Sequence, residues 1–124
     1  MPELPEVETV KESLKLRLSN KKIIRARVLW DNIIAYPNKD EFIKEIANQT
    51  ISDVKRRGKF LMFDLDDYFL LPHLRMEGKY FFKKIGDSID KHEHVIFELD
   101  NNTELRYRDT RKFGKMYLIK KEDI

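Results

Sequence analysis

The stretch FLMFDLDDYFLLPHL, residues 60–74, decides the fold class of this 124-residue chain. Two short runs of aromatic and aliphatic residues, Phe60 to Leu65 and Tyr68 to Leu74, flank the pair Asp66-Asp67. Runs of this length on either side of turn-forming residues predict two antiparallel strands joined by a tight hairpin. Asn101-Asn102 lies between two further runs in the same way. The chain is therefore expected to consist mainly of short antiparallel strands.

Six further segments complete a predicted set of eight short strands. Turn signals separate most of them, and the stretch Lys84 to His92, which contains Gly86, is predicted to be a mobile loop. Eight short strands of this kind imply a mostly β fold, an eight-stranded antiparallel sandwich or barrel. The six segments are Ile23 to Trp30, Ile51 to Arg56, Lys79 to Lys83, His94 to Leu99, Thr103 to Arg108 and Lys115 to Ile119.

An N-terminal helix and a second short helix are expected to flank the strands. Pro5 suits the first helical position, where a missing N–H loses no hydrogen bond, and the first helix is predicted to end at about Ser19. Asn38 and Glu41 form a capping box that begins the second helix. The predicted buried stripe of the first helix contains Val7, Val10, Leu14 and Leu18.

Composition excludes several classes of protein. The length fits one domain, and the chain has no cysteine, which excludes disulfides, a thiol nucleophile and cysteine-ligated zinc within these residues. No apolar run approaches the length of about 20 residues that a membrane-spanning helix requires. The acidic first residues lack the basic start and apolar stretch of a signal peptide. We therefore expect a cytoplasmic protein with no membrane partner.

The net charge of +3 is mild, but the basic residues are clustered. One cluster runs from Lys55 to Lys59, and a second lies between Arg106 and Lys115. A basic patch can accompany a mild net charge when acidic residues elsewhere offset it. Such patches are typical of a surface that binds the phosphate backbone of nucleic acid. A lysine-rich soluble surface has the same composition, so charge alone leaves both interpretations open.

Pro2 carries the most distinctive chemistry of the chain. Methionine before a small residue is normally removed, which would leave Pro2 with a free secondary amine. An α-amino group has a pKa of about 7.7–8.0 against about 10.4 for lysine, so more of it is neutral and nucleophilic. Its attack on an aldehyde-like sugar carbon would give a cationic iminium, and Glu3 could protonate a departing oxygen. The alternative is a solvated acidic helix start that happens to contain Pro2.

The sequence MPELPEVETV, residues 1–10, resembles the opening of the bacterial formamidopyrimidine-DNA glycosylases, which remove 8-oxoguanine and are also abasic-site lyases. The endonuclease VIII group is similar in plan, but it usually has glycine at the position of Leu4 and matches the later motifs less well. Four later motifs resemble those of the family in the same order: RRGKFL at 56–61, HLRMEGK at 73–79, KHEHV at 91–95 and YRDTRKFG at 107–114.

The resemblance implies a catalytic role for three residues. Pro2 matches the nucleophile that forms a Schiff base with the sugar, and Glu3 matches the acid that helps to open the deoxyribose. Lys59 matches a lysine that contacts the lesion or its phosphate and transfers a proton in strand cleavage. Lys59 could instead be an ordinary strand-edge lysine. Because Gly58 before it allows a close approach of backbone, we favour the functional interpretation.

The resemblance also implies four DNA-binding residues. His92 and Arg111 match residues that hold phosphates around the damaged nucleotide. Met76, Arg111 and Phe113 match the side chains that fill the gap when that nucleotide leaves the stack, which is what an enzyme acting at C1′ requires. Taken singly, His92 would more simply be a loop histidine, Arg111 a surface cation, and Met76 and Phe113 core residues.

No cofactor or metal is expected within this chain. His73 and His94 are predicted to satisfy hydrogen bonds inside the fold, and a zinc site built from the three histidines is disfavoured because no partner motif accompanies them. The resemblance makes residues 1–124 an N-terminal catalytic domain. The family's second domain, with a helix–two-turn–helix and a four-cysteine zinc finger, is absent from these residues, and one structural zinc is expected there.

Three functions follow as hypotheses. The first is base-excision repair: a monomeric glycosylase and abasic-site lyase that removes oxidised purines from damaged double-stranded DNA, with an endonuclease VIII-like preference for oxidised pyrimidines as its variant. The second is a damaged-DNA binding module with little turnover, because the second wall of the DNA cleft is missing. The third is a β-sandwich interaction domain with no role in nucleic-acid binding.

Overall fold

The computed structural model describes residues 4–74 and 78–124, except for the side chain of Leu4. Within these residues the chain forms two α-helices, nine strands and two short 3₁₀ helices, Asp31–Ile33 and Lys121–Asp123. In chain order the helices and strands are α1 (Leu4–Leu18), β1 (Ile23–Val28), β2 (Ile34–Tyr36), α2 (Lys39–Ile46), β3 (Asp53–Arg57), β4 (Phe60–Asp64), β5 (Tyr68–His73), β6 (Lys79–Lys84), β7 (Glu93–Leu99), β8 (Thr103–Arg108) and β9 (Lys115–Lys120).

The strands form two sheets, which confirms the predicted β-sandwich with two flanking helices. One sheet has the order β1-β7-β8-β6 and the other β2-β9-β5-β4-β3. The prediction of eight strands, all antiparallel, needs one correction. The ninth strand, β2, pairs in parallel with β9 through Ile34 and Met116. Its three residues are too few to show a period, and its partner lies some eighty residues away in the sequence.

The core lies between the sheets and is closed by the helices. The Phe63 ring of β4 meets the Tyr80 ring of β6 with centroids 5.6 Å apart, so the two sheets touch directly. Phe42 of α2 packs on Phe97 of β7 at 6.3 Å. The Asn38 side chain accepts the backbone N–H of Glu41 at 2.9 Å, which confirms the predicted cap of α2.

Helix α1 packs against β3 and runs antiparallel to it. Lys15 pairs with Asp53 at 3.2 Å, whereas Glu8 pairs with Arg56 at 3.0 Å, so the start of α1 lies toward the end of β3. The predicted stripe is confirmed, with one difference: Val10 is only partly buried, whereas Val7, Leu14 and Leu18 are buried. No helix among the described residues is long and apolar enough to cross a membrane.

The register of the strands places several of the connections between them at one end of the sandwich. In the five-stranded sheet Phe60 pairs with His73, and His73 pairs with Lys115. The Gly58-Lys59 turn, Leu74 and Gly114 therefore lie together, just beyond this row.

The four-stranded sheet ends in the same place. Arg108 pairs with both Lys79 and Glu93, so Gly78, His92 and Asp109 lie just beyond that row. The Gly78 N–H donates to the Leu74 carbonyl at 3.0 Å, which joins the two sheets at this point. We call this region, formed by residues 58–59, 74, 78, 92 and 109–114, the loop end.

Candidate functional site

Lys59 lies in a two-residue turn at the loop end. Arg57 pairs with Phe60, so Gly58 and Lys59 alone connect β3 to β4. Gly58 has a φ of 60°, a left-handed conformation that a residue with a side chain adopts only at a cost. A Cβ at Gly58 would have no neighbour within 4 Å. Within the described residues the glycine is therefore required by the turn and not by packing against the protein. The close approach of backbone expected from the sequence stays a prediction. The half-buried Lys59 extends from this turn.

Arg56 connects the start of α1 to the Lys59 turn. Its Nε donates to a Glu8 carboxylate oxygen at 3.0 Å, and its Nη1 donates to the Gly58 carbonyl at 3.1 Å. Hydrogen bonds from Lys11 and Arg56 lower the pKa of Glu8, so that carboxyl stays charged. The sequence places Arg56 in a basic patch and in the motif RRGKFL, but it does not show what Arg56 binds. The structure shows that it holds two parts of the site together.

The 109–114 segment is organised around the buried Asp109 carboxylate. One of its oxygens accepts the N–H groups of Arg111 and Lys112, both at 3.1 Å. The other accepts the Gly114 N–H at 2.8 Å and the Tyr107 hydroxyl at 2.9 Å. Lys112 adopts a φ of 59°, and its ammonium lies 4.1 Å from the centre of the Trp30 ring. The segment is thus a tight turn held by one carboxylate.

This turn presents Arg111 and Phe113 to solvent. Phe113 is 56% exposed, which excludes the interpretation of Phe113 as a core residue. The Arg111 guanidinium carbon lies 5.9 Å from the centre of the Phe113 ring. A cation and an exposed aromatic ring therefore stand side by side, an arrangement suited to a phosphate and to a base step.

His92 lies next to this turn. Its backbone N–H donates to Asp90 at 2.7 Å, and its carbonyl accepts the Asp109 N–H at 2.9 Å. The hydrogen bond from His92 and the charge of Arg108 lower the pKa of Asp90. The backbone of the predicted phosphate ligand His92 is therefore tied directly to the segment that carries Arg111.

The other two histidines are buried, as predicted. His94 Nε2 lies 2.7 Å from the Asp109 carbonyl, and the His73 ring packs on Phe60 with centroids 4.6 Å apart. Among residues 4–74 and 78–124 no group of three or more histidine or acidic side chains is placed to hold a metal ion.

Arg106 corrects two of the sequence predictions. It is fully buried, so it does not belong to a basic surface. Its guanidinium pairs with Glu93 at 2.8 Å and Glu104 at 2.6 Å, and it donates to the carbonyls of Asp87 and Ser88, both at 2.8 Å. The segment predicted to be mobile is thus anchored to the sheet. A pair of strand residues two apart, Glu104 and Arg106, was the available signal.

The chain matches the formamidopyrimidine-DNA glycosylase N-terminal domain over residues 1–116. It belongs to this family. A formamidopyrimidine-DNA glycosylase from Oceanobacillus iheyensis is 52% identical over 119 residues, which are 95% of this chain and 42% of that protein. The chain therefore spans less than half the length of this relative.

Solved structures of the family match the fold as well. The Lactococcus lactis protein in complex with DNA containing FAPY-dG superposes with a TM-score of 0.92 at 38% identity, over 98% of this chain and 45% of that one. The same protein bound non-covalently to DNA with an abasic site gives 0.93 at 37% identity, over 99% and 47%. The family predicted from the motifs is confirmed.

Three of the predicted site residues of this family member, Pro2, Glu3 and Met76, lie outside the described residues. The other four, Lys59, His92, Arg111 and Phe113, all lie at the loop end. Tyr107 and Asp109 belong to the motif YRDTRKFG but received no predicted role, because a motif does not show which of its side chains are buried behind an exposed turn.

Proposed function

We propose that this chain is the catalytic domain of a DNA glycosylase and abasic-site lyase that acts on oxidised purines in duplex DNA. The observation that carries the proposal is the meeting of four motif residues at one end of the sandwich, where α1 also begins. Motifs that lie up to about fifty residues apart in the sequence converge there, as an active site requires. We further propose that the protein is monomeric and works in the cytoplasm on nucleoid DNA.

In the proposed reaction the Pro2 amine attacks C1′ of the damaged nucleotide. The bond from nitrogen to C1′ forms, the glycosidic bond breaks, and the base leaves with a proton. Glu3 protonates the ring oxygen as the sugar opens, which gives an iminium at C1′. The iminium makes the C2′ hydrogen acidic, so its loss expels the 3′ phosphate and a later elimination expels the 5′ phosphate. Lys59 transfers protons in these steps.

The exposed side chains of the loop end would bind the DNA. His92 and Arg111 would hold phosphates around the extruded nucleotide, and Phe113 with Met76 would fill the gap left in the stack. Filling the gap recovers part of the unstacking free energy, which is a few kcal/mol per base step. The net charge of +3 leaves much of the phosphate neutralisation to residues outside this chain.

A second domain is part of this proposal. Relatives more than twice as long as this chain are consistent with a further domain that completes the DNA cleft. We propose that it carries the family's four-cysteine zinc finger with one structural zinc, which takes no part in the chemical steps above. The chain alone would then bind damaged DNA weakly and turn over little.

The test compares the 124-residue chain with a chimera that joins it to the remainder of the Oceanobacillus iheyensis relative. Duplexes carrying 8-oxoguanine, a formamidopyrimidine or an oxidised pyrimidine are incubated with each protein, and strand cleavage is measured. We expect cleavage of the purine lesions by the chimera and little by the chain. Robust cleavage by the chain would refute the need for a second domain, and preference for the pyrimidine would favour the endonuclease VIII-like function.

A binding experiment separates these functions from a plain interaction domain. Lys59→Ala and Arg111→Ala should each weaken binding of an abasic duplex, whereas Lys44→Ala on α2 serves as a control of equal charge. If neither site variant changes the affinity while the chimera is folded, the β-sandwich interaction domain is the better description.

A further inference from the structure

Tyr107 and Asp109 form a buried polar pair behind the loop end. The Tyr107 hydroxyl donates to Asp109 Oδ2 at 2.9 Å, and both residues are at most 1% exposed. Burial and the charge of Asp109 raise the pKa of Tyr107 far above its usual value, so the hydroxyl keeps its proton. Among the described residues no cation pairs with Asp109. Its charge is stabilised instead by the Tyr107 hydroxyl and three backbone N–H groups.

The Asp109 side of the pair determines the shape of the segment that carries Arg111 and Phe113. Three of the four hydrogen bonds to its carboxylate come from the backbone of residues 111, 112 and 114. Its own backbone N–H donates to His92, and its carbonyl meets His94 at 2.7 Å. Through one residue, the phosphate-binding candidates His92 and Arg111 are held at a set separation.

The Tyr107 side of the pair contacts two glycines that belong to different connections. A Cβ added at Gly114 would overlap the Tyr107 hydroxyl, and so would a Cβ added at Gly78. Gly114 follows Phe113, and Gly78 lies two positions after Met76 in the sequence. The hydroxyl is therefore packed between Gly78 and Gly114.

We propose that Tyr107 and Asp109 act as a positioning pair that holds Gly78, the 109–114 turn and His92 in one arrangement before DNA binds. This inference rests on the proposed function and names residues that touch neither the sugar nor the base. Its physical basis is preorganisation: a turn already held by four hydrogen bonds loses less conformational entropy when its side chains enter the stack.

Tyr107→Phe tests the pair with the smallest change, since it removes one hydroxyl and keeps the ring. The control is Tyr80→Phe, because the Tyr80 ring lies 5.0 Å from that of Tyr107 and its buried hydroxyl has no hydrogen-bond partner among the described residues. Each variant is built in the chimera, and we would measure its affinity for an intact duplex and for a duplex with a tetrahydrofuran abasic analogue at about 50 mM salt, where electrostatic binding is stronger than at higher salt. A 2-aminopurine opposite the analogue reports insertion into the gap.

We expect Tyr107→Phe to lower the preference for the abasic duplex about five- to tenfold, the scale of one typical intramolecular hydrogen bond, and to reduce the 2-aminopurine response. Its affinity for intact duplex should stay within about twofold of wild type, because general phosphate attraction is unchanged. Tyr80→Phe should leave the preference for the abasic duplex and the 2-aminopurine response unchanged. Asp109→Asn should show the same selective loss, and circular dichroism identifies any variant that is unfolded.

Two different results would overturn the inference. Tyr107→Phe with wild-type preference and wild-type 2-aminopurine response would show that the pair positions nothing, while the proposed function stands. Equal losses on intact and abasic duplexes would show a general structural role. A wild-type chimera with no preference for the abasic duplex would instead refute the proposed function on which the inference rests.

Discussion

Replacing Arg106 by methionine should remove a large part of the stability of this domain. Arg106 is fully buried, Glu93 is 4% exposed and Glu104 is 3% exposed. Arginine has five N–H donors, and five hydrogen bonds from Arg106 are present: three to the two carboxylates and two to the carbonyls of Asp87 and Ser88. The cluster carries one positive and two negative charges, so among the described residues Arg106 alone supplies the positive charge that offsets the two carboxylates.

The expected magnitude follows from what the substitution leaves behind. Breaking a buried ion pair by removing one partner costs about 3–5 kcal/mol, because the remaining charge stays buried without compensation. A domain of this size has a free energy of unfolding of about 5–15 kcal/mol, so Arg106→Met should remove at least about a fifth of it. With a urea dependence of about 2 kcal/mol per molar, the midpoint should fall by about 1.5–2.5 M.

The assay is urea unfolding followed by circular dichroism, with two matched variants. Arg108→Met removes a neighbouring arginine whose ion pair with Asp90 is exposed and 3.4 Å long, and it should change stability by less than about 1 kcal/mol. Adding Glu93→Met and Glu104→Met to Arg106→Met removes the two uncompensated charges and should recover most of the about 3–5 kcal/mol that the single variant loses. The reasoning is wrong if Arg106→Met unfolds within about 1 kcal/mol of wild type, or if the triple variant is less stable than the single one.

Three further predictions concern single residues. Because the pKa of Tyr107 is raised, its contribution to stability is complete below the unfolded pKa of about 10 and is lost as pH rises above it. From pH 9 to pH 11 the free energy of unfolding in urea should fall by about 1.4 kcal/mol more for wild type than for Tyr107→Phe. Equal falls would contradict this prediction. Gly58→Ala should cost about 1–2 kcal/mol by thermal unfolding, because φ is 60° there, and an unchanged midpoint would contradict this. Asn38→Ala should cost about 1 kcal/mol through loss of the α2 cap, whereas Asn38→Ser should retain most of it, and equal destabilisation by both would exclude the cap as the cause.

Features set by neighbouring residues could be predicted from the sequence. The Asn38 cap, the Asp66-Asp67 hairpin and the buried stripe of α1 each depend on residues a few positions apart, and the structure confirms all three. Strand β2 could not be predicted in the same way, since it has three residues and is stabilised by pairing with β9.

The site was predicted only as far as its exposed residues. The motifs identified Lys59, Arg111 and Phe113, because family motifs record side chains that meet a ligand. They do not include Arg106, and the spacing of Glu104 and Arg106 indicates an ion pair on one face of the strand without showing that this face is buried. Arg106 points inward because its two carboxylate partners are buried. The burial of this cluster depends on contacts with residues 87–93.

The most direct test of the central claim is to trap the covalent intermediate and find the residue that carries it. The chimera and the 124-residue chain, each shown by intact mass to begin at Pro2, are incubated with an abasic duplex and sodium borohydride, and the adduct is mapped by peptide mass spectrometry. We predict a DNA adduct on the nitrogen of Pro2, strong in the chimera and weak in the chain. An adduct on Lys59, or no adduct in a folded chimera with a proline N-terminus, would contradict the account.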